Sequence, residues 1–281
     1  MNLTNIDEVK ALLNRHGFRF SKSMGQNFLV ASWVPEDIAE SAGLDENTGV
    51  LEIGPGIGCL TGELSQRAGK VLSVELDRSL EKVLAETLAD RDNVKIHFGD
   101  ILKQDLPKLA NEHFEGLRPV VCANLPYNVT SPVLTKLINS GLFDSITVMV
   151  QREVAKRMCA LPNTADYGAF SVFIQWHTEA KLLFDVPAGC FIPQPKVTSS
   201  VIRLDRRKTA PCAVKDEDKM FAIVRAAFNQ RRKTLVNALS SQLKLDKQYV
   251  ENVLAECGFD GKIRGEVLNL TDFATISDKI Y

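Results

Sequence analysis

The sequence predicts an α/β protein: a seven-strand, Rossmann-like sheet over residues 1–205, with a small helical domain over residues 206–281. Three observations carry that prediction. Short apolar runs of strand length alternate with helix-like stretches through the first two-thirds of the chain. A glycine-rich segment separates the first of those runs from the helix that follows it. Beyond residue 205 the texture turns polar (DRRKTAP) and then helical to the end.

The segment before the sheet, MNLTNIDEVKALLNRHGF, has early acids and no apolar core, so it is not expected to be a secretory leader. The strands follow at residues 50–53, 71–74, 94–98, 120–123 and 146–150, each an apolar run of the kind a doubly covered parallel strand needs. Between the second and third, residues 78–89 carry apolar side chains at 80, 83, 84 and 88, the spacing of one helix face. Two more strand candidates, 180–186 and 197–204, have no long helix between them and fit an antiparallel pair at the sheet edge. The remainder, from 206, reads as a helical bundle.

Composition excludes several classes. With 45% hydrophobic and 25% charged residues the chain is an ordinary globular one rather than a disordered one. No apolar run reaches membrane-spanning length, so no membrane partner is expected. The six cysteines form no CxxC pair, and there is no His cluster. That pattern argues against a metal site or a disulfide framework and for free thiols in a cytoplasmic protein. No heptad or long apolar face suggests more than a monomer. Net charge is only −1, but its distribution is uneven. Residues 9–35 hold four bases and no acid, residues 219–245 six bases and no acid, and residues 36–118 seventeen acids against nine bases. Basic ends of this kind mark either solvated helix faces or a nucleic-acid footprint.

The segment LEIGPGIGCLT sets Gly54, Gly56 and Gly58 directly after a strand, where a side chain would block a tight turn and close ligand approach. Glu75, at the end of the next strand, can accept hydrogen bonds from both hydroxyls of a ribose. Asp100, after the third, can accept from an adenine amino group. The set points to an adenosine-containing cofactor, and two classes share it. A nicotinamide dinucleotide normally comes with a GxGxxG loop that seats its pyrophosphate on the helix. S-adenosylmethionine needs no phosphate site but does use an acid before the loop. Here the third glycine follows after one residue rather than two, and Glu52 precedes the loop; both features favour S-adenosylmethionine.

At the end of the fourth strand, VVCANLPYNV runs an apolar strand into Asn124, Leu125, Pro126 and Tyr127. Proline forces Leu125 into extended backbone and itself offers no N–H. The Asn124 side-chain oxygen and a backbone carbonyl can then each accept from an exocyclic NH2. Such a grip favours a pyramidal nitrogen whose lone pair faces a methyl donor, and it stabilises the positive charge that develops there. Tyr127 would stack on the purine. A base held this way must be flipped out of a duplex or already single-stranded. The residues alone do not say whether it belongs to DNA or RNA.

Eight segments together give the chain a resemblance to the KsgA-type rRNA adenine-N6,N6 dimethyltransferases. They are KSMGQNFL (22–29), EIGPGIG (52–58), VELD (74–77), GD (99–100), NLPYNVTSPVL (124–134), MVQREVAKRM (149–158), FIPQPKVTSSVIRL (191–204) and FNQRRKTLVNAL (228–239). The resemblance implies an S-adenosylmethionine-dependent methyltransferase sheet with an RNA-binding helical domain. It implies that residues 1–30 close over the cofactor through Gln26, Asn27 and Leu29. Gly54, Gly56, Glu75, Leu76, Asp100, Ile101 and Asn124 complete the implied cofactor set. Phe191 is implied to help hold the target base. Arg231, Arg232 and Lys233 are expected on a helix of the C-terminal domain, facing phosphates, and QREVAKR (151–157) is either a polar helix start or an RNA-facing edge. The implied substrate is a pair of adjacent adenosines near the 3′ end of small-subunit rRNA in an assembling subunit, taking up to four methyl groups. Alternatives of other kinds are a large-subunit rRNA methyltransferase, a DNA adenine-N6 methyltransferase and a non-catalytic assembly factor.

Overall fold

A computed structural model describes residues 1–20 and 25–281; Lys22 and the KSM part of the KSMGQNFL segment lie outside the described residues. The strands are β1 (Phe28–Leu29), β2 (Thr48–Ile53), β3 (Lys70–Glu75), β4 (Val94–Phe98), β5 (Arg118–Asn124), β6 (Ser145–Gln151), β7 (Thr178–Val186), β8 (Phe191–Ile192) and β9 (Ser199–Arg206). Seven of them form one sheet in the order β4-β3-β2-β5-β6-β9-β7. β2 pairs in parallel with both β3 and β5, β3 with β4 and β5 with β6, whereas β9 runs antiparallel to β6. The seven apolar runs of the sequence are these seven strands, and the last two lie side by side at one end of the sheet, as expected.

The sheet is buried because helices cover it. Val50, Val71, Val120 and Met149 pack with Val34, Ile38, Leu60 and Leu64 of the helices Trp33–Ser41 and Cys59–Arg67. A second cluster joins Val9 and Leu12 of the helix Ile6–Arg15 to Leu80, Val83 and Leu84. The predicted helix at 78–89 is there, with its first turn tightened to 3₁₀ at Arg78–Leu80 before the α-helix Glu81–Thr87. Chain direction reverses about β2: successive crossovers carry the chain outward to β4, then back to β5 on the other side. A crevice at the carboxyl ends of the strands belongs at such a switch point. Ile53, Glu75 and Asn124 end the strands that border it.

β1 and β8 make a separate two-stranded pair, with Phe28 opposite Ile192 and Leu29 opposite Phe191. The sequence reading placed no strand there, since two residues carry no alternation to detect.

Contacts divide the chain into residues 1–155 with 181–206, and residues 156–180 with 207–281. The boundary after β9 falls next to the expected one, but residues 156–180 do not stay with the sheet domain as the 1–205 assignment had them. The reason is apolar burial. Tyr167 and the helix Ala169–His177 place Val172 and Trp176 in a core with Met220, Leu235, Val250 and Phe273. Several helices of that unit start where side chains cap them. Asp216 accepts from Lys219 N, Asp246 from Tyr249 N, and Asn269 with Asp272 closes a capping box. No helix among the described residues is long and apolar enough to cross a membrane, and no cluster of metal-ligating side chains occurs among them.

Candidate active site

The glycine loop is shaped by its backbone. Gly54, Gly56 and Gly58 have φ of 71°, 60° and 94°, in the left-handed region that glycine reaches without strain. A Cβ on Gly56 would stand 3.1 Å from the Phe28 ring, so the loop and β1 approach too closely for a side chain. Phe28 is itself held in an aromatic trio with Phe18 and Phe20. On the opposite side, a Cβ on Gly54 would lie 3.8 Å from Pro126. The NLPY turn therefore faces the glycine loop across one cleft of about 1180 Å³, measured out to its open mouth.

The acids of that cleft are individually braced. Glu75, 6% exposed, accepts from Asp77 N at 2.8 Å and Gly56 N at 3.4 Å, and its burial raises the carboxyl above its ordinary value. Glu52 receives the hydroxyls of Thr61 and Ser73 on one oxygen, at 2.7 and 2.6 Å. Burial pushes it up to about 7. Asp100 accepts from Leu102 N at 3.0 Å and caps the short turn Ile101–Lys103. Leu76 is exposed and Ile101 buried, both lining the cleft beside their acids. Among the described residues the cleft has three carboxylates in its lining and no Lys, Arg or His. An anionic pyrophosphate would meet only repulsion from those side chains, whereas a cationic sulfonium would be attracted. The glycine turn and strand-end acids of this lining fit a cationic sulfonium cofactor. Cys59, also in the lining, gives its thiol to Leu3 O at 3.1 Å and is pushed up to about 12 by burial, so it is no nucleophile.

The expected lid residues Gln26, Asn27 and Leu29 all line the cleft. Gln26 Nε2 donates to Asp77 Oδ2 at 2.6 Å, which ties the segment to the turn that also braces Glu75. Asn124 Nδ2 points to Asn27 O at 3.5 Å. Its Oδ1 is left as a free acceptor among the described residues. Leu125 N donates to Met149 O at 3.1 Å, while no group of the described residues donates to the Leu125 carbonyl. Pro126 O takes Val129 N and the Thr130 hydroxyl, each at 3.2 Å, and so is already used. Asn124 Oδ1 and Leu125 O thus remain without a donor among the described residues at the end of β5, on two residues that line the cleft. Tyr127 is half-buried, with its hydroxyl 2.6 Å from Ser199 Oγ. Ser199 lies 72 residues away in the chain and shows no local signal; sequence reading missed it.

Two expectations need correction. Phe191 does not line the cleft: it is 3% exposed and packed with Leu29, Val34 and Met149, because its pairing with Leu29 turns it into the core. The basic part of NQRRK is not helical. The helix Glu217–Asn229 ends on its Asn, and Thr234 caps the next helix, Leu235–Leu243, so Arg231, Arg232 and Lys233 sit in the turn between. Arg231 is moreover engaged within its unit, its Nε 2.8 Å from Glu266 Oε2 and one terminal NH2 donating to Thr164 O at 3.1 Å. Arg232 and Lys233 are exposed. Of QREVAKR, Arg152–Met158 forms a short helix, with Arg152 paired to Asp185 at 3.2 Å.

Comparison with known proteins places the chain among ribosomal RNA adenine dimethylases. The family model described as ribosomal RNA adenine dimethylase matches residues 17–275. The "Ribosomal RNA small subunit methyltransferase A" of Anoxybacillus flavithermus is 46% identical over 278 residues, covering 97% of this chain and 94% of its own. The protein of the same description from Clostridium perfringens is 44% identical, covering 100% and 98%. Among solved structures, a dimethyladenosine transferase from Plasmodium falciparum superposes with a TM-score of 0.74 at 26% identity, covering 88% of this chain and 95% of that one. The 23S rRNA methyltransferase ErmE gives 0.69 at 26% identity, covering 90% and 99%.

Proposed function

The chain belongs to the ribosomal RNA adenine dimethylase family, and from that premise we propose that it methylates N6 of two adjacent adenosines near the 3′ end of small-subunit rRNA, with S-adenosylmethionine as methyl donor. The observation that carries the reading is the pair of open acceptors, Asn124 Oδ1 and Leu125 O, beside a glycine loop in a cleft whose only charged lining residues, among the described ones, are acids. The relatives named for the small subunit, 44–46% identical over nearly the whole chain, support that subunit over the large one.

S-adenosylmethionine, when bound, supplies a methyl group on a positively charged sulfur. Gly54 and Gly56 would admit it close to the backbone, Glu75 would hold its ribose, and Asp100, with Leu76 and Ile101, its adenine. Gln26, Asn27 and Leu29 would close over it and exclude water. The target adenine enters beside Tyr127, a stacking contact of roughly 1–3 kcal/mol. Asn124 Oδ1 and Leu125 O then accept the two N6–H bonds. These acceptors would free the nitrogen lone pair, otherwise delocalised into the ring, to face the methyl group; bound S-adenosylmethionine would supply that methyl, its sulfur keeping the S–C bonding electrons as a neutral thioether. Both acceptors gain strength as positive charge builds on nitrogen, so they favour the transition state over bound substrate. Holding the adenine and the cofactor in one cleft would supply much of the remaining acceleration. No side-chain base is required, because the product ammonium loses its proton readily. A second round on the same nitrogen needs only one N–H, which either acceptor can take.

The test uses labelled S-adenosylmethionine with unmethylated small subunits, large subunits, naked small-subunit rRNA and duplex DNA, followed by nucleoside analysis. Dimethyladenosine confined to the small-subunit particle is expected. Label in large-subunit RNA or in DNA would overturn the substrate assignment.

A further inference from the structure

The ring of Tyr127 is fixed at two points. Its backbone lies in the turn after β5, where Thr130 Oγ1 reaches Pro126 O at 3.2 Å and Tyr127 O at 3.4 Å. Its hydroxyl, at the far end of the ring, meets Ser199 Oγ at 2.6 Å. Ser199 is fully buried and opens β9, where it stands in register with Gln151 of β6. The serine is therefore on a rigid element. Among the described residues neither hydroxyl has another side-chain partner, so the two form a closed pair.

Such a pair has a cost that needs a reason. Phenylalanine at 127 and alanine at 199 would keep the packing and remove two polar groups from a half-buried place, and replacing both partners of a hydrogen bond is often nearly neutral for stability. What the pair adds is direction. A ring anchored only at Cβ can swing about its first side-chain torsion, while a ring also held at its hydroxyl keeps its long axis in one place beside the cleft. A purine stacking on a fixed face loses less freedom than one that must order a mobile ring.

We infer that Ser199 is a positioning residue for methyl transfer, holding the Tyr127 ring in the orientation that the target purine stacks on. This rests on the proposed function, since it takes Tyr127 to be the stacking platform. The serine touches neither adenine nor cofactor and acts through the tyrosine.

The experiment measures kcat and KM on unmethylated small subunits for the wild type, Ser199→Ala, Ser199→Thr, Tyr127→Phe and the double variant Ser199→Ala/Tyr127→Phe. S-adenosylmethionine affinity and Tm are measured for each. Ser199→Ala is expected to lose about tenfold in kcat/KM, the size of one hydrogen bond's positioning, with cofactor affinity unchanged. Ser199→Thr, which keeps a hydroxyl, recovers most of it. Tyr127→Phe matches Ser199→Ala, and the double variant is no worse than either single one. That non-additivity separates positioning from a general structural role, and the double variant, free of any orphaned hydroxyl, guards against mere misfolding. Wild-type kcat/KM in Ser199→Ala, or losses that multiply in the double variant, would overturn the inference while leaving the function standing. A wild type that transfers no methyl to the particle would instead overturn the proposed function, and this inference with it.

Discussion

Glu52 and Glu75 stand at the ends of neighbouring strands, both buried and both facing a cleft without a cation among the described residues. Their difference lies in what they hold. Glu75 keeps one oxygen on Asp77 N and reaches Gly56 N only at 3.4 Å, so it can turn toward a ribose. For Glu75→Ala we expect S-adenosylmethionine affinity to fall about tenfold or more, with binding to small subunits little changed; equal losses in the two titrations would undo the ribose assignment. Glu52 is instead occupied by Thr61 and Ser73. Burial raises it from 4.5 to about 7, the two hydroxyls pull it down, and repulsion from Glu75 adds to the rise. A carboxyl raised on folding holds its proton more tightly in the folded chain. Its contribution to stability is therefore present below pH 4.5 and is lost as pH climbs through about 7. Tm measured across that window should fall less steeply for Glu52→Gln than for the wild type, and parallel curves would mean that Glu52 titrates as an ordinary carboxyl.

At the scale of elements, the loops between helices and strands decide which cations are available. The turn after the helix Glu217–Asn229 shows Arg232 and Lys233 to solvent and turns Arg231 back onto Glu266. Replacing Arg232 or Lys233 by alanine should flatten the salt dependence of RNA binding by about 0.7–0.9 each. Arg231→Ala should leave that slope alone and lower Tm by about 2 °C, the reach of one partly exposed ion pair. Binding isotherms at several salt concentrations check this, and a shared slope change for all three would contradict it. The same elements show what the sequence makes legible. Buried parallel strands need apolar side chains on both faces, so VLEI, VLSV and VVCA stand out. Acids at strand ends and glycines at the turn are local signals too. The turn at 230–233 was readable, since Thr234 precedes the apolar run LVNAL as a helix cap does. The pairing of β1 with β8, the burial of Phe191 behind it and the Tyr127–Ser199 contact were not. Each joins residues far apart in the chain through elements too short, or bonds too few, to leave a period.

Over the whole molecule, sequence order hides the second unit. Residues 156–180 sit between two strands of the sheet, yet their Tyr167, Val172 and Trp176 belong to the helical core. Nothing in composition marks their limits, because an apolar helix looks alike in either core. The cleft, by contrast, lies within the sheet unit, lined from residues 25–29, 52–57, 59–60, 74–76, 80, 99–102 and 124–129. The chemistry assigned to it turns on one side chain, since Asn124 alone can offer an oxygen that alanine removes without disturbing the strand. The decisive measurement is single-turnover methyl transfer by Asn124→Ala to unmethylated small subunits at saturating S-adenosylmethionine, with Tm taken alongside. A rate at least about 100-fold below wild type, the loss typical of one transition-state hydrogen-bond partner, with Tm unchanged, is the predicted result. Near-normal turnover in a folded Asn124→Ala protein would contradict the amine-gripping mechanism outright.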